Sequence, residues 1–294
     1  MRVPTREKYS LKFSTRVNKA PVFHWLGLVL GCAFVFFLTM QAQALSVTVS
    51  PLLVELDLPP GAVRTTTVEV RNTGEWEANI TVNLSDFHLA SDGTVELSSR
   101  EESETPFAWL NIRGDTTFRL RPDEVRRIPL EVRPPRGTRG GLYAAVVFEV
   151  TPHPLPARGQ VIGIRLGTLV FLSIMRTSEM RGAVGEVNLE ADGPAVEALF
   201  ENAGNVHWSG EGRVVITNQE GRVIERLTLE SGTGLVLPGG KRIFTGVGTR
   251  NLTLEPGIYE VDVRLYAHTP QRPISLDRKT VEVVVEDTDN DRES

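Results

Sequence analysis

The feature that most restricts the fold of this chain is a two-residue alternation of apolar and polar side chains in short runs. Examples are Thr65–Val70, Val223–Leu229 and Tyr259–Leu265. Such alternation places one face of a strand against a core and the other face in water. Gly, Pro, Asn and Asp separate the runs at intervals of roughly ten residues. No stretch after residue 44 sustains the period of an amphipathic helix, so the sequence predicts an all-β protein there.

The first 44 residues have the composition of an export signal. They contain six basic residues and one acidic residue, and the apolar run Trp25–Met40 follows the basic part. This run is shorter than the about 20 residues that a membrane-spanning helix needs. Ala42-Gln43-Ala44 then provides the small-x-small pattern that a signal peptidase cleaves. We predict an N-terminal signal helix over residues 1–44 that is removed before Leu45; its retention as a membrane anchor is the alternative.

An internal repeat divides the remaining chain into two similar units. Each copy contains an Asn-x-Gly triplet, a proline turn and a tyrosine 21 residues after the proline. These landmarks are Asn72, Pro122 and Tyr143 in the first copy and Asn202, Pro238 and Tyr259 in the second. The tyrosine is typical of a tyrosine corner, whose hydroxyl bonds to the backbone at the end of a β-sandwich. We predict two tandem immunoglobulin-like β-sandwiches, over 45–178 and 183–286, and an acidic disordered tail over 287–294.

The composition of the exported part disfavours several classes of function. The single cysteine, Cys32, lies in the predicted signal, so the exported part has no disulfide and no thiol nucleophile. The residues after 44 include 26 basic and 36 acidic side chains, a balance that argues against nucleic acid as a partner. The histidines outside the signal are far apart in sequence, and no nucleophile-elbow or phosphate-loop motif occurs. We therefore predict no catalytic residue, no metal site and no cofactor.

One segment is more apolar than a half-buried strand requires. Val161–Met175 carries a single charge, Arg165, and its even positions from Ile162 to Ile174 are apolar except at Thr168. Further apolar side chains lie on the opposite face. Such a segment is either a central strand buried on both faces or an edge strand that offers its apolar row to the incomplete sheet of a partner. The residues alone leave both alternatives open.

The order of these features resembles the pilus-assembly periplasmic chaperones of the PapD-like family. The similarity rests on Val47–Pro51, Phe118–Pro122, Leu142-Tyr143, the proline-rich loop after them, and the long strand that ends Ser173-Ile174-Met175. It covers residues 45–178 and implies two immunoglobulin-like domains after a cleaved signal. In that family the long last strand of the first domain completes the sandwich of a pilin subunit that lacks a strand. The first domain is also similar to that of WxL-interacting surface proteins.

The resemblance implies a set of partner-binding residues on this strand. They are Ile162, Ile164, Arg165, Leu166, Val170, Leu172 and Ile174. In the family, two basic residues in the cleft between the domains hold the terminal carboxylate of the subunit. The corresponding stretches here, Leu52–Glu55 and Gly167–Leu172, contain no basic residue, and Arg165 and Arg176 are the nearest candidates to replace them.

We therefore expect a non-enzymatic, chaperone-like protein that binds another exported polypeptide, such as a pilin-like or surface subunit. It would act in the periplasm or elsewhere in the cell envelope, or outside the cell, and would contact a membrane only through an uncleaved signal. The alternative is a structural module of the cell envelope that binds peptidoglycan or polysaccharide by stacking sugars on Trp76, Trp109 and Trp208. A hydrolase is a third hypothesis and requires His88 and His207 to meet carboxylates in one cleft.

Overall fold

The computed structural model describes residues 45–98, 107–154, 162–248 and 252–286. The predicted signal helix and the predicted acidic tail lie outside these residues. Every regular element within them is a β-strand, which confirms the predicted all-β class. Leu45–Ser294 forms one compact unit. The described part of the chain contains no helix with the length and apolar character that crossing a membrane requires.

The first sandwich consists of the eleven described strands between Val47 and Ile174. They are β1 (Val47–Ser50), β2 (Leu53–Leu58), β3 (Arg64–Asn72), β4 (Glu77–Ser85), β5 (Phe87–Leu89), β6 (Val95–Leu97), β7 (Leu110–Ile112), β8 (Thr117–Leu120), β9 (Val125–Val132), β10 (Gly141–His153) and β11 (Ile164–Ile174). One sheet has the order β1-β3-β9-β7, and the other has the order β2-β11-β10-β4-β8. Strands β5 and β6 form a separate hairpin.

Alternating side chains from the two facing sheets form the core of the first sandwich. In β3, Val68 and Val70 are fully buried, and in β4, Ala78 and Ile80 are fully buried as well. The residues between them in each strand point to the other side of the sheet. Burying one side chain of the size of Ile80 stabilises the fold by about 2 kcal/mol. The apolar positions of the predicted alternation therefore contribute directly to the stability of this core.

The second sandwich consists of the eight described strands between Ala183 and Val285. They are β12 (Ala183–Glu190), β13 (Ala195–Glu201), β14 (Trp208–Asn218), β15 (Val223–Leu229), β16 (Leu235–Val236), β17 (Lys241–Val247), β18 (Gly257–Ala267) and β19 (Ile274–Val285). One sheet has the order β12-β13-β17, and the other has the order β15-β14-β18-β19, with β16 paired to β14. Trp208, Phe200 and Phe244 are among the largest side chains of its core.

The repeated asparagines have the same role in both sandwiches. Asn72 and Asn202 are buried, and each donates two hydrogen bonds from its side-chain amide to backbone carbonyls. Each also accepts a hydrogen bond from the N–H of the glycine two residues later. The carbonyls belong to Trp76 and Leu120 in the first sandwich and to Val206 and Val236 in the second. The asparagine thus joins the end of one strand to the strand before the proline turn.

The repeated tyrosines, in contrast, have different partners. The hydroxyl of Tyr259 donates to the carbonyl of Glu255 at 2.9 Å, which is the predicted tyrosine corner. The hydroxyl of Tyr143 instead accepts a hydrogen bond from the backbone N–H of His207 at 2.7 Å. The prediction of a corner at Tyr143 is therefore wrong, because this tyrosine connects the first sandwich to the second.

Hydrogen bonds between the loop at Asn205 and backbone groups of the first sandwich and the linker connect the two sandwiches. The carbonyl of Asn205 accepts from the N–H of Gly141 at 2.7 Å, and the side-chain amide of Asn205 donates to the carbonyl of Thr177 at 3.0 Å. A Cβ at Gly140 would lie 2.3 Å from the Asn205 carbonyl oxygen, and the φ of Gly140 is +73°. This close approach requires a glycine at position 140.

The β5–β6 hairpin forms a second connection. In the loop of this hairpin, the carbonyl of Ser91 accepts a hydrogen bond from the N–H of Ile243 at 2.9 Å. The guanidinium of Arg242 is near Asp92 of the same loop and contributes to lowering the pKa of that carboxyl group, although the hydrogen bonds from Thr94 lower it more. The hairpin of the first sandwich therefore lies against strand β17 of the second.

Candidate functional site

Strand β11 has two halves that differ in their neighbours. From Ile164 to Ser173 it pairs with β10 in antiparallel register. From Leu169 to Ile174 it also pairs with β2 in parallel register, so this covered half lies between two strands. Strand β2 pairs with no residue of β11 before Leu169. We call Ile164–Gly167 the open half, because its other side has no strand partner among the described residues.

The hydrogen bonds of the covered half show which backbone groups of the open half face outward. The N–H groups of Leu169 and Met175 donate toward the β2 side, to Leu52 and Leu58, each at 2.9 Å. The N–H of Ile174 donates toward the β10 side. Odd-numbered residues therefore direct their N–H and C=O groups away from β10. In the open half these residues are Arg165 and Gly167, and their backbone groups face the uncovered side.

The predicted apolar row is graded in exposure along β11. Ile162, just before the strand, is 76% exposed, whereas Ile164 and Leu166 are partly buried and pack against the core. Farther along, Val170, Leu172 and Ile174 have no accessible surface and belong to the core of the first sandwich. The predicted site residues are thus divided between an accessible end of the row and a buried end. Only the accessible end is in a position to contact another polypeptide without unfolding the sandwich.

Thr168 lies at the junction of the two halves. Its side chain is buried, and its hydroxyl donates to the carbonyl of Pro51 at 2.8 Å. This bond fixes the turn that leads into β2. The next residues, Leu52 and Leu53, are 69% and 41% exposed, and Leu53 pairs with Leu169 at the start of the covered half. Their exposure could not be predicted from the sequence, because it depends on where β2 begins to pair with a strand far away in the chain.

Arg165 is the charged residue of the open half. Its guanidinium donates to the carboxylate of Glu149, directly opposite on β10, at 2.7 Å. The side chain of Arg165 is 64% exposed. It lies on the outer face of the sheet, because its neighbours Ile164 and Leu166 pack against the core. Arg176, the other cation considered, lies in the turn after β11 with a φ of +65°.

An aromatic cluster lies where the covered half meets the second sandwich. The ring centroid of Phe171 lies 5.3 Å from that of Tyr143 and 4.9 Å from that of His207, both with the rings steeply inclined. Phe87 of the β5–β6 hairpin stacks on Phe171 at 6.0 Å. Nε2 of His207 is 3.5 Å from a carboxylate oxygen of Glu55 on β2. The sequence did not single out this cluster, because its members come from four distant segments.

We call this meeting point of the two sandwiches the joint. Burial at the joint changes the pKa values of two groups. Desolvation lowers the pKa of His207 below its usual value, although the nearby carboxylates of Glu55 and Asp57 act in the opposite direction. Desolvation also raises the pKa of Tyr143 well above its usual value, with a smaller opposite contribution from the hydrogen bond to His207. Both shifts favour the neutral form, so the joint is uncharged on the His207–Tyr143 side near neutral pH.

The residues considered for sugar binding or hydrolysis differ in burial and in their partners, although His88 and Trp109 line one cavity. Trp109 and Trp208 are 5% and 2% exposed, and the indole N–H of Trp208 donates to the carbonyl of Arg181. Trp76 is 41% exposed and is the most exposed of these three tryptophans. His88 pairs with Glu96 within the hairpin, and His207 lies at the joint. The described residues contain no group of three or more His, Cys, Asp or Glu side chains arranged to hold a metal ion.

Comparison with known proteins finds a likeness of fold. No family model matches the chain, and no curated protein matches it. Among solved structures, the class 5 fimbriae chaperone CfaA is 11% identical, with a TM-score of 0.46, over 80% of this chain and 99% of that chain. A complex of the SafA pilin with the SafB chaperone of Salmonella enterica gives 13% identity and a TM-score of 0.41, over 83% of this chain and 98% of the other.

The CupB2 chaperone of Pseudomonas aeruginosa is 14% identical, with a TM-score of 0.40, over 81% of this chain and 100% of that chain. The likeness to these three chaperone structures is one of fold. Such identities and scores describe a distant likeness in architecture. The function of this chain is therefore best inferred from its own open strand edge.

Proposed function

We propose that this protein binds another exported polypeptide in a chaperone-like manner, by pairing a strand of that partner with the open half of β11. The observation that supports this proposal is the change of neighbours along one strand. Ile164–Gly167 is paired on one side only, whereas the covered half of the same strand lies between β10 and β2. Addition of a strand to a sheet edge is a common mode of peptide recognition.

The energetics of the open half favour such an addition. An added strand would satisfy the outward backbone groups of Arg165 and Gly167, and each hydrogen bond contributes about 1 kcal/mol. It would also cover Ile162, Ile164 and Leu166, which are only partly buried or exposed. An uncovered apolar edge is an aggregation hazard that proteins normally protect. An edge kept open in this way is therefore suited to a transient partner.

The proposal assigns different roles to the two ends of the apolar row. Ile162, Ile164 and Leu166 would contact the partner, and Arg165 would flank it. Val170, Leu172 and Ile174 would hold the strand in the core, in agreement with their complete burial. Export through the N-terminal signal and a role without enzymatic activity are further parts of the proposal.

A pair of proline substitutions tests the proposal on the compact unit Leu45–Ser294. Gly167→Pro removes an N–H that faces the uncovered side, so the sheet loses no internal hydrogen bond. Leu166→Pro removes an N–H that faces β10 and should lower the free energy of unfolding by about 2 kcal/mol or more. The probe is a fluorescent nonapeptide of alternating Thr and Val, whose binding is measured by anisotropy.

We expect Gly167→Pro to weaken binding of this peptide about fivefold or more while the protein remains folded, because one intermolecular hydrogen bond is lost. Circular dichroism and urea unfolding establish that the variant is folded. If the folded Gly167→Pro protein binds the peptide as tightly as the wild type, the open half is not the binding edge. If the wild type binds no peptide of this kind, strand addition is excluded as its mode of recognition.

A further inference from the structure

The outer face of the open half has an unusual arrangement of side chains. Arg165 is its one large side chain, and Gly163 and Gly167 lie two residues away on either side. Arg165 lies opposite Glu149, and Gly167 lies opposite Val147, both on β10. In a sheet, residues opposite one another on adjacent strands share a face and pack side by side. A strand added to the open half would therefore place one side chain beside Arg165 and another beside Gly167.

The fold of this chain does not itself require a glycine at position 167. A Cβ built there would meet only the carbonyl oxygen of Val146, at 3.8 Å, which is an ordinary contact, and the φ of Gly167 lies outside the left-handed region. A glycine inside a strand destabilises it relative to alanine and often marks a place where another chain approaches closely. The missing side chain leaves open space over Gly167 on the outer face, whereas Val147 opposite it is only 4% exposed.

Arg165 provides a charge beside this open space. Its Nη2 atom donates to Glu149, while the guanidinium as a whole has five N–H donors. The group is largely exposed, so a second carboxylate can approach it from the uncovered side. Opposite charges directly across two strands attract, and like charges repel. An acidic side chain on the added strand would therefore continue the row that starts with Glu149 and Arg165.

From this arrangement we infer that the partner strand carries an acidic residue opposite Arg165 and, two residues away, a large apolar residue opposite Gly167. The large side chain would lie across the glycine, in the open space over it, as aromatic residues do opposite edge glycines in other sheets. This inference rests on the proposed function, because it specifies the chemistry of the strand that the open half would accept.

Peptides derived from the Thr-Val host test this inference. Two outward positions, two residues apart, are replaced by Glu and Phe in both orders, because the partner strand can run in either direction. We expect one order to bind about fivefold more tightly than the same peptide with Lys in place of Glu. We also expect it to bind about threefold more tightly than the same peptide with Ala in place of Phe.

Two protein variants identify the residues responsible. Arg165→Glu should reverse the preference, so that the Lys peptide binds more tightly than the Glu peptide. Arg119→Glu, which makes the same charge change on β8 at the opposite edge of this sheet, should leave the preference unchanged. Gly167→Val should abolish the advantage of Phe over Ala, because the added side chain fills the open space over position 167.

The outcomes separate this inference from the proposed function. Equal binding of the Glu and Lys peptides, or of the Phe and Ala peptides, would overturn the inferred partner chemistry and leave strand addition in place. An unchanged preference in Arg165→Glu would also overturn it, because the charge would then be recognised elsewhere. Failure of every alternating peptide to bind the wild type would overturn the proposed function as well.

Discussion

The two sandwiches share a sequence plan but treat their edge strands differently. In the second sandwich, Glu230 and Thr245 exchange two backbone hydrogen bonds, of 2.9 and 3.0 Å, where the edges of β15 and β17 meet. At the opposite side, Val184 donates its N–H to the carboxylate of Asp277, and Lys279 donates to the carbonyl of Gly185. These contacts join the edges of its two sheets. The first sandwich has no such contact along the open half of β11 among its described residues.

This difference shows that one folding plan can produce both a closed module and a module with an available edge. The shared asparagine and the proline turn hold each sandwich together at the same point. The copies differ in how much of an edge strand its neighbouring strand covers. In the first sandwich, β2 begins its pairing at Leu169, which leaves the preceding residues of β11 unpaired on that side. The position of one turn, at Pro51, therefore decides whether the edge is available.

The largest expected effects concern the part that the copies share. We predict that Asn72→Ala and Asn202→Ala each lower the free energy of unfolding by about 3 kcal/mol, because each removes an amide that binds two backbone carbonyls and accepts from a glycine N–H. Urea unfolding of the compact unit measures both values. Exposed Asn188 on β12 serves as the control, and Asn188→Ala should change the free energy by no more than about 0.5 kcal/mol. A large loss at only one of the two buried asparagines would show that the copies are not equivalent.

Smaller effects are expected at the tyrosines, where the copies differ. Tyr259→Phe loses one hydrogen bond to an exposed turn and should cost about 1 kcal/mol. Tyr143→Phe leaves the N–H of His207 without an acceptor at the joint and should cost about 2 kcal/mol. Amide exchange at His207 and Asn205 should accelerate in Tyr143→Phe and stay unchanged in Tyr259→Phe. Equal exchange in the two variants would mean that Tyr143 does not hold the sandwiches together.

The strands themselves were largely predictable, and the differences have a physical cause. The alternation of β15 marks its ends at Val223 and Leu229, as the structure has them. The apolar run Val281–Val285, in contrast, is only the last part of β19, which begins at Ile274. Its first part includes Arg278, which pairs with Arg264 on β18. Backbone hydrogen bonds to a neighbouring strand can extend a strand through polar residues. The hydrophobic pattern of the sequence therefore does not predict such an extension.

The candidate site was predictable only in part, for a similar reason. Composition and periodicity identified β11 and its apolar row, but both the edge and the central alternatives were consistent with them. In the structure the covered half lies between two strands and the open half pairs on one side only, because β2 covers only Leu169–Ile174. That coverage depends on a strand more than 100 residues earlier in the chain, so no feature of β11 alone reveals it. Gly167, two residues from Arg165, is the local signal that sequence reasoning did not use.

The smallest expected effect is a pH dependence that arises at the joint between the copies. Because burial lowers the pKa of His207, the unfolded chain takes up a proton near pH 6.5 while the folded protein does so only at lower pH. Between these two values the unfolded state binds more protons, so stability decreases as pH falls. Neutral His207 therefore makes its full contribution to the free energy of unfolding above pH 6.5, and this contribution is lost below the pKa that the residue has in the folded protein. Urea unfolding at a series of pH values from 7.5 to 5 measures this slope.

Two variants isolate the contribution of His207 from that of the other titrating groups. The charged and titratable groups that face it are Glu55 and Asp57 on β2 and Tyr143 on β10. His207→Gln should remove the slope between pH 6.5 and the folded pKa, so the difference from the wild type reports this residue alone. Glu55→Gln should lower the folded pKa further and extend the slope to lower pH, because it removes the carboxylate that favours the protonated ring. Parallel stability curves for the wild type and His207→Gln would contradict burial of a neutral histidine at the joint. The second sandwich's own tyrosine, Tyr259, bonds within its own domain, so Tyr259→Phe should leave the slope unchanged.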